Sequence, residues 1–258
     1  MNPTLRGFEQ PGRWSVELLP KNGYEARYTP PAPIIGFAFD IQAGIHAFGT
    51  DRRTGYRAKP NGLAFVPAGC DVYSMSEAGG EYLKVTIGKG TTAPWAWTQR
   101  FSDAVDPASI QAAQALRRLL LVGEVDALTC ESLVHVLEAR ATAMLSLKPG
   151  RAAAWMTPQR LRRIDELVEA RLDARLTVQD LAEALGLSTG FFARAFKRAT
   201  GQSPHDYIIA RRVARARWLL RDRRLGLAAI ALAAGFASHA HMTATFRTRL
   251  GIPPQSLR

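Results

Sequence analysis

The spacing of hydrophobic positions changes along the chain and divides it into a strand-like part and a helical part. Up to about residue 100, short aromatic or β-branched runs alternate with glycine and proline, which predicts strands at 34–41, 62–66 and 82–87. The Ala-Gly-Gly at 78–80 predicts the turn of a hairpin. Short strands at regular spacing indicate a small β-barrel or sandwich.

Helical spacing begins after residue 105. Asp106 and Pro107 supply an N-cap and a first-turn proline, and apolar residues then follow every three or four positions. A second helix is predicted at 128–147, and its apolar side consists of Leu133, Leu137, Met144 and Leu145. The Lys-Pro-Gly at 148–150 and the alanines that follow indicate a linker at 148–156.

Every segment after this linker has the pattern of a helix, and most begin with a recognisable cap. The predicted helices start at Thr157, at Thr177 with Asp180 as its capping-box partner, at Ser188, at Ser203, at Leu227 and at Ser238. The helix after Ser203 is the longest, since it is expected to run to about residue 221 and to span roughly 27 Å.

Two stretches of this helical part repeat one another around Gly186 and Gly235. Phe196, Gly201 and Pro204 follow Gly186 by 10, 15 and 18 residues, and Phe246, Gly251 and Pro254 follow Gly235 by 11, 16 and 19. A glycine between two short helices, repeated after about fifty residues, predicts a pair of helix-turn-helix units. Such a pair can place two helices in neighbouring segments of one DNA groove.

The charge of the chain supports a polyanionic partner. The chain has 34 basic and 22 acidic residues, a net charge of +12. Residues 1–150 hold 15 basic and 14 acidic residues, net +1, whereas residues 151–258 hold 19 and 8, net +11. This asymmetry favours nucleic acid, with an acidic membrane surface or a protein as alternatives.

The remaining composition indicates a cytoplasmic protein without a membrane segment. Cys70 and Cys130 have neither metal-type spacing nor the number needed for a disulfide framework, which is typical of a reducing compartment. The first residues lack an apolar signal core, and no apolar run approaches eighteen residues.

With these residues in hand, the C-terminal part resembles the AraC/XylS family of bacterial transcription regulators. The resemblance is carried by LTVQDLAEALGLSTGFFARAFKRATGQSPHDYI, RRVARARWLLRD and LAAIALAAGFASHAHMTATFRTRLGIPPQSLR. It implies an α+β protein with an N-terminal cupin-like β-barrel and following helices, and a C-terminal all-α domain with helix-turn-helix units at about 177–200 and 227–250. The expected domains are a sensory domain at 1–105, a helical dimerisation element at 106–147, the linker at 148–156 and the DNA-binding domain at 157–258.

The resemblance also implies that the helices starting at Ser188 and Ser238 are recognition helices. Outward positions expected to face bases are Thr189, Gly190, Ala193 and Arg194 in the first helix, and His239, Ala240, Thr243 and Ala244 in the second. Arg194 is the strongest candidate, because a guanidinium can contact guanine O6 and N7 together. The alanines depart from the family's usual polar residues, so the second unit is expected to position more than it reads.

A further set of polar side chains is expected to contact phosphates. These are Ser188, Lys197, Arg198, Ser238, Arg247 and Arg249. Four more arginines crowd the long helix, and they are expected to form a solvated face that pairs with nearby acids: Arg211, Arg212, Arg215 and Arg217.

The N-terminal part resembles a cupin without its metal ligands. The segment 62–69 is similar to the second cupin strand-turn motif, but Val72 stands where that motif would have a histidine, and only His46 is available for the first motif. No metal or other cofactor is therefore expected. The alternatives are a pocket for a small organic ligand or plain barrel core, and the candidate lining residues are Phe37, Phe39, His46, Phe65, Tyr73 and Trp95.

Together these features predict a sequence-specific DNA-binding transcription regulator that is not an enzyme. Its expected partners are double-stranded DNA, RNA polymerase, a small-molecule effector and a second copy of the chain. The alternatives are a metal-dependent cupin-type enzyme with a DNA-binding tail and a regulator controlled by a protein partner. A DNA-repair alkyl transferase would need an activated cysteine, and neither cysteine has a recognisable setting for one.

Overall fold

The computed structural model describes residues 6–88, 99–123, 125–146 and 156–258. The chain forms two compact units that divide between residues 152 and 153. The described part of the first unit consists of strands followed by two helices, and that of the second is helical. The predicted α+β class, with a sheet-rich N-terminal part and an all-helical C-terminal part, is confirmed.

Antiparallel strands build two sheets in the first unit. The strands are β1 (Arg6–Gln10), β2 (Trp14–Leu19), β3 (Tyr24–Tyr28), β4 (Ile34–Ala38), β5 (Gln42–Phe48), β6 (Thr54–Ala58), β7 (Gly62–Val66), β8 (Val72–Ser76), β9 (Tyr82–Ile87) and β10 (Phe101–Ala104). Over the described residues, one sheet has the order β1-β2-β9-β4-β7-β10 and the other β3-β8-β5-β6. The strands expected at 62–66 and 82–87 have these bounds, whereas β4 ends at Ala38 rather than at residue 41.

The predicted hairpin at 78–80 is wrong. Strand β8 lies between β3 and β5 in the four-stranded sheet, whereas β9 lies between β2 and β4 in the six-stranded sheet. The chain therefore crosses between sheets here. Gly79 has φ +60°, and a Cβ at this position would lie 1.8 Å from the Asn22 carbonyl oxygen. Gly79 suits its left-handed backbone and its close approach to Asn22, and neither feature determines which strands pair.

The six-stranded sheet buries one entire face. The register places on this face Trp14, Val16, Leu18, Ile35, Phe37, Leu63, Phe65, Leu83, Val85 and Ile87, all of them buried. Helix α2 (Ala127–Ser146) packs against β4, β7 and β10 of this sheet, and α1 (Pro107–Val122) packs against α2. The largest apolar core of the first unit thus lies on this face.

Asp106 joins the two helices of the first unit. Its carboxylate accepts a hydrogen bond from the Ser109 N–H at 2.8 Å, which caps α1, and one from Arg140 Nη2 of α2 at 2.6 Å. Burial alone would raise the pKa of Asp106, but the bonds from Arg140 and Ser109 hold it below its ordinary value.

The buried stripe of α2 differs from the predicted one. It consists of Cys130, Val134, Leu137 and Ala141. Of the expected residues Leu137 is buried, whereas Leu133, Met144 and Leu145 are only partly covered. Several leucine-rich stripes of this helix have similar apolar content, so the sequence pattern did not define the phase.

The second unit has the predicted succession of helices and caps. Its helices are α3 (Pro158–Ala170), α4 (Val178–Glu183), α5 (Thr189–Thr200), α6 (Pro204–Leu219), α7 (Leu227–Ala233) and α8 (His239–Leu250), followed by a 3-10 turn (Pro254–Leu257). Thr177 and Asp180 form the expected capping box. Ser188, Ser203 and Ser238 cap α5, α6 and α8 as expected.

Two arginines of α6 bind the end of α3 instead of forming a solvated face. Arg211 has only 5% of its side chain exposed, and its Nε donates to Glu169 Oε1 at 2.7 Å. Arg212 Nε and Nη2 donate to the carbonyl oxygens of Leu172 at 3.2 Å and Ala174 at 3.0 Å. The expected pairing with nearby acids is found for Arg211, but the expected solvated face is wrong for these two residues, because α6 packs against α3, α5, α7 and α8.

The two turn glycines have similar backbones but different surroundings. Gly186 has φ +65° and open space where a Cβ would be. Gly235 has φ +84°, and a Cβ there would lie 1.9 Å from the Leu172 carbonyl oxygen and 2.8 Å from Arg212 Nε. The turn of the second unit is therefore packed directly onto the segment that follows α3.

We predict that Gly235→Ala destabilises the chain much more than Gly186→Ala. The first change combines left-handed strain with a backbone collision and should cost about 3 kcal/mol or more. The second adds only the strain, about 1 kcal/mol. Urea unfolding followed by circular dichroism measures both, and equal losses would contradict the packing described for Gly235.

We also predict that Asp106→Asn lowers the free energy of unfolding by about 1.5 kcal/mol at pH 7, because the amide keeps the cap but loses the charged bond to Arg140. The folded pKa of Asp106 is depressed, so its contribution is full above the unfolded pKa and is lost as pH falls through the folded pKa. The difference between wild type and variant should therefore shrink below about pH 4.

The matched control is Asp126→Asn. This carboxylate accepts the Thr129 N–H at 2.7 Å in an exposed cap, and its variant should lose less stability. A loss as large as that of Asp106→Asn would show that the bond to Arg140 adds nothing.

Candidate nucleic-acid interface

The start of α5 presents a small exposed surface. Phe192 and Phe196 are buried on one side of the helix, and Thr189 and Gly190 are exposed in its first turn. Ala193 is partly buried, so its methyl is less available than the sequence suggested. The Phe191 N–H donates to Ser188 Oγ at 3.4 Å, and the exposed Ser188 hydroxyl keeps its own hydrogen for another acceptor.

Arg194 is exposed and lies over this first turn. One guanidinium nitrogen is 3.5 Å from the point where a Cβ on Gly190 would be. Within the described residues, no carboxylate pairs with Arg194. The guanidinium thus lies beside Gly190 near the helix N-terminus, a position from which it could contact a base edge or a phosphate.

The last turn of α5 carries two exposed cations, Lys197 and Arg198. Their charges also stabilise the negative end of the helix dipole, which is the structural alternative to a phosphate contact. Both side chains are exposed and project from the same helix as Arg194.

Helix α8 presents a poorer surface for reading bases. Its exposed residues include His239, Ala240, Ala244 and Arg247. The His241 N–H donates to Ser238 Oγ at 3.1 Å, and the hydroxyl of Ser238 is exposed like that of Ser188.

Thr243 is the least suited of the predicted base contacts. Its Oγ1 is buried and has no hydrogen-bond partner in the part of the chain that the structure describes. The hydroxyl therefore faces the protein rather than the exposed side of α8. His241 packs edge-on against Phe236 with ring centroids 5.5 Å apart, and the residue is otherwise exposed.

Arg249 is engaged within the protein. Its guanidinium pairs with the Asp206 carboxylate in the first turn of α6, and both side chains are partly exposed. Burial would raise the pKa of Asp206, but the hydrogen bonds from Ser203 and Arg249 hold it below its ordinary value. The expected phosphate contact of Arg249 is therefore in competition with a contact that fastens the end of α8 to the start of α6.

Three residues predicted to line a ligand pocket are instead buried against other side chains of the first unit. Phe37 and Phe65 belong to the apolar face that packs on the helices. Phe39 packs edge-on against Phe37 at 5.1 Å and has Arg117 of α1 over its ring. This correction has a simple cause, since an aromatic residue in a strand does not reveal which face of the sheet it occupies.

Of the other pocket candidates, Tyr73 and His46 lie on opposite faces of the four-stranded sheet. Tyr73 lies on the opposite face of β8 from Ser74, donates to Glu25 Oε1 at 3.0 Å and has Arg53 over its ring. His46 is on the face of Ser74 and stacks on Tyr56 with centroids 4.8 Å apart. Trp95 lies outside the described residues. The sequence reasoning missed the tyrosines around His46, because only the strand register brings them together.

Two kinds of feature are absent from residues 6–88, 99–123, 125–146 and 156–258. No group of three or more His, Cys, Asp and Glu in these ranges is placed to hold a metal ion. None of the helices there is both long and apolar enough to cross a membrane.

Comparison with known proteins identifies the second unit. Residues 181–258 match the family model described as a helix-turn-helix domain. The chain is 35% identical over 86 residues to the melibiose operon regulatory protein of Escherichia coli, which covers 33% of this chain and 28% of that protein. It is 31% identical over 99 residues to the HTH-type transcriptional regulator GbdR of Pseudomonas aeruginosa, which covers 38% of this chain and 27% of that protein.

The chain thus spans less than two fifths of the length of these curated relatives. A solved AraC-type DNA-binding domain protein from Chromobacterium violaceum is 33% identical, covers 39% of this chain and 89% of that chain, and has a TM-score of 0.37, too low to add weight. The helix order, the caps, the two glycine turns and the match at 181–258 agree, and the C-terminal unit is an AraC-type helix-turn-helix domain.

Proposed function

We propose that the chain is a sequence-specific DNA-binding regulator of transcription in which α5 reads bases and α8 mainly positions the domain. The observation that carries this proposal is the difference in chemistry between the residues that the two helices expose in their first turns. Helix α5 offers a guanidinium beside Gly190 that pairs with no carboxylate of the described residues, while α8 offers two alanines, a histidine and a threonine whose hydroxyl is buried.

The charge of the second unit fits this role. Residues 151–258 carry 19 basic and 8 acidic residues, and part of this excess lies on α5 and α8 as exposed Arg194, Lys197, Arg198 and Arg247. Exposed cations of this kind neutralise phosphates and release counterions, so the proposed complex weakens steeply with salt. Ser188 and Ser238 would contribute neutral phosphate contacts at the helix N-termini.

The proposal extends to the whole chain in outline. Residues 1–105 would sense a small organic molecule, 106–147 would pair two copies of the chain, and 148–156 would link them to the DNA-binding part at 157–258. RNA polymerase would be the protein partner at the promoter. What supports this division is the change from sheets to helices and the concentration of positive charge after the linker.

Selection of bound duplexes from a random pool, followed by band shifts at physiological salt, tests the central claim. We expect one preferred sequence with stronger base preference in the half contacted by α5 than in the half contacted by α8. Binding that does not exceed that of competitor DNA would refute the proposal, and equal base preference in both halves would refute the unequal roles of the helices.

We predict that Arg194→Ala weakens binding to the selected site by about 1–3 kcal/mol and relaxes preference at one base position. Arg194→Lys keeps the charge but loses the paired donors, so it should relax the preference with a smaller loss of affinity. Band shifts against the selected site and against single-base variants of it provide both measurements.

The matched control is Arg198→Ala on the same helix. Loss of a phosphate contact should weaken binding to all sequences alike and lower the slope of log affinity against log salt by about 1. If Arg194→Ala behaves in this second way, Arg194 contacts a phosphate and does not read a base.

A further inference from the structure

Arg212 of α6 binds the α3–α4 connection (residues 171–177). Its Nε donates to the Leu172 carbonyl oxygen at 3.2 Å, and its Nη2 donates to the Ala174 carbonyl oxygen at 3.0 Å. Both carbonyls follow the end of α3, where the helix dipole is negative. Thr177, three residues after Ala174, caps α4. Arg212 therefore holds the segment that leads into the first helix-turn-helix unit.

The same guanidinium also lies beside the turn of the second unit. Gly235 stands in this turn, between α7 and α8. A Cβ at position 235 would lie 2.8 Å from Arg212 Nε and 1.9 Å from the Leu172 carbonyl oxygen. The backbone of the turn is therefore packed directly against the guanidinium and one of the carbonyls that it binds. One side chain thus touches both helix-turn-helix units.

Two other kinds of contact hold the second unit on α6. Helix α6 packs against α7 and α8 and buries apolar side chains such as Ile209 and Val213, but apolar packing has no preferred direction. The ion pair of Asp206 and Arg249 is partly exposed, and Asp206 lies about 9 Å along α6 from Arg212. Hydrogen bonds weaken steeply when their angle changes. The contacts of Arg212 are therefore the ones that resist a shift of one unit against the other.

The chemistry of this contact suits arginine better than lysine. Burial lowers the pKa of Arg212, and no carboxylate of the described residues pairs with it. Its partners are carbonyl dipoles instead. A guanidinium carries its donors in a planar fork, so it can bind two carbonyls at a fixed separation, whereas the ammonium of lysine is a point charge on a flexible stem. The rigid fork holds Leu172 and Ala174 in one arrangement.

The neighbouring arginine makes a different contact. Arg211 Nε donates to Glu169 Oε1 at 2.7 Å, and its Nη2 lies 3.8 Å from Asp165 Oδ1. Both acids belong to α3, so this contact fastens α6 to α3 through side chains. Arg211 thus provides a control of the same residue type, one position away in the chain.

The placement of α5 relative to α8 decides which duplexes both helices can contact together. Each base pair that is added to B-DNA moves the far half of a site by about 3.4 Å and turns it by about a tenth of a helical turn. A rigid pair of helices then loses the contacts of one half, whereas a loosely connected pair readjusts. Rigidity between the two units therefore becomes selectivity for the spacing of a DNA site.

We infer that Arg212 is a positioning residue that fixes the spacing between the two halves of the DNA site. It acts through the placement of α5 and α8, since it binds the α3–α4 connection and the turn at Gly235 together. This inference rests on the proposed DNA-binding function and adds to it a determinant of site spacing.

The test uses the full chain, the duplex recovered by selection, and duplexes with one base pair inserted or deleted between its two halves. Band shifts give the spacing penalty, which is the affinity for the original duplex divided by that for the altered one. We expect a wild-type penalty of about tenfold or more, because one helix loses its base contacts. Preference for no duplex refutes the DNA-binding proposal and this inference with it. Preference for a duplex with equal affinity at every spacing overturns this inference alone.

The decisive variant is Arg212→Lys, which keeps the charge and loses the fork of donors. We expect it to bind the original duplex more weakly and its spacing penalty to fall to about twofold. Both affinities come from one preparation, so partial unfolding lowers them by the same factor and leaves the penalty unchanged. A penalty for Arg212→Lys that equals the wild-type value therefore overturns the inference.

The matched control is Arg211→Lys. This change weakens the contacts with Glu169 and Asp165, so urea unfolding should show a loss of stability while the spacing penalty stays at the wild-type value. If Arg211→Lys lowers the penalty as much as Arg212→Lys does, spacing depends on the general packing of α6 on α3, and the assignment to Arg212 is overturned.

Discussion

The arrangement of the helix-turn-helix unit depends on two arginines of α6 that bind the end of α3. Arg211 is nearly buried against Glu169, and Arg212 donates to two backbone carbonyls just beyond α3. A buried guanidinium whose acid is removed is costly, so this contact tolerates little movement. Because Leu172 also lies against Gly235, the same contact fixes the turn of the second helix-turn-helix. This junction between α6 and the end of α3 therefore fixes the position of α8 relative to α6.

The local features of this unit could be predicted from the sequence because they depend on near neighbours. A serine or threonine cap needs only the next three residues, and the left-handed turns at Gly186 and Gly235 need only glycine. The fate of Arg211 and Arg212 could not be predicted in this way. Whether an arginine on a helix is solvated or buried depends on which other helix packs there, and periodicity along one helix carries no such information.

The first unit shows the same limit for strands. The bounds of β7 and β9 followed from their residues, but the partner of β9 did not, and neither did the face of Phe37, Phe65 or Tyr73. A shift of one residue in register turns every side chain to the other face. The hydrogen-bonded side chains of Tyr24, Tyr56 and Ser74 come from three strands that are far apart in sequence, so no local pattern could have revealed that they meet.

The pair of Arg249 and Asp206 has a consequence for how ionic strength acts on this molecule. Both side chains are about one-third to two-fifths exposed, so dissolved ions screen their attraction. Raising the salt concentration then weakens the contact between the end of α8 and the start of α6 at the same time as it would weaken the proposed phosphate contacts. A count of phosphates taken from a salt titration would include this internal pair, because a cation released from Asp206 is free to engage the backbone of the duplex.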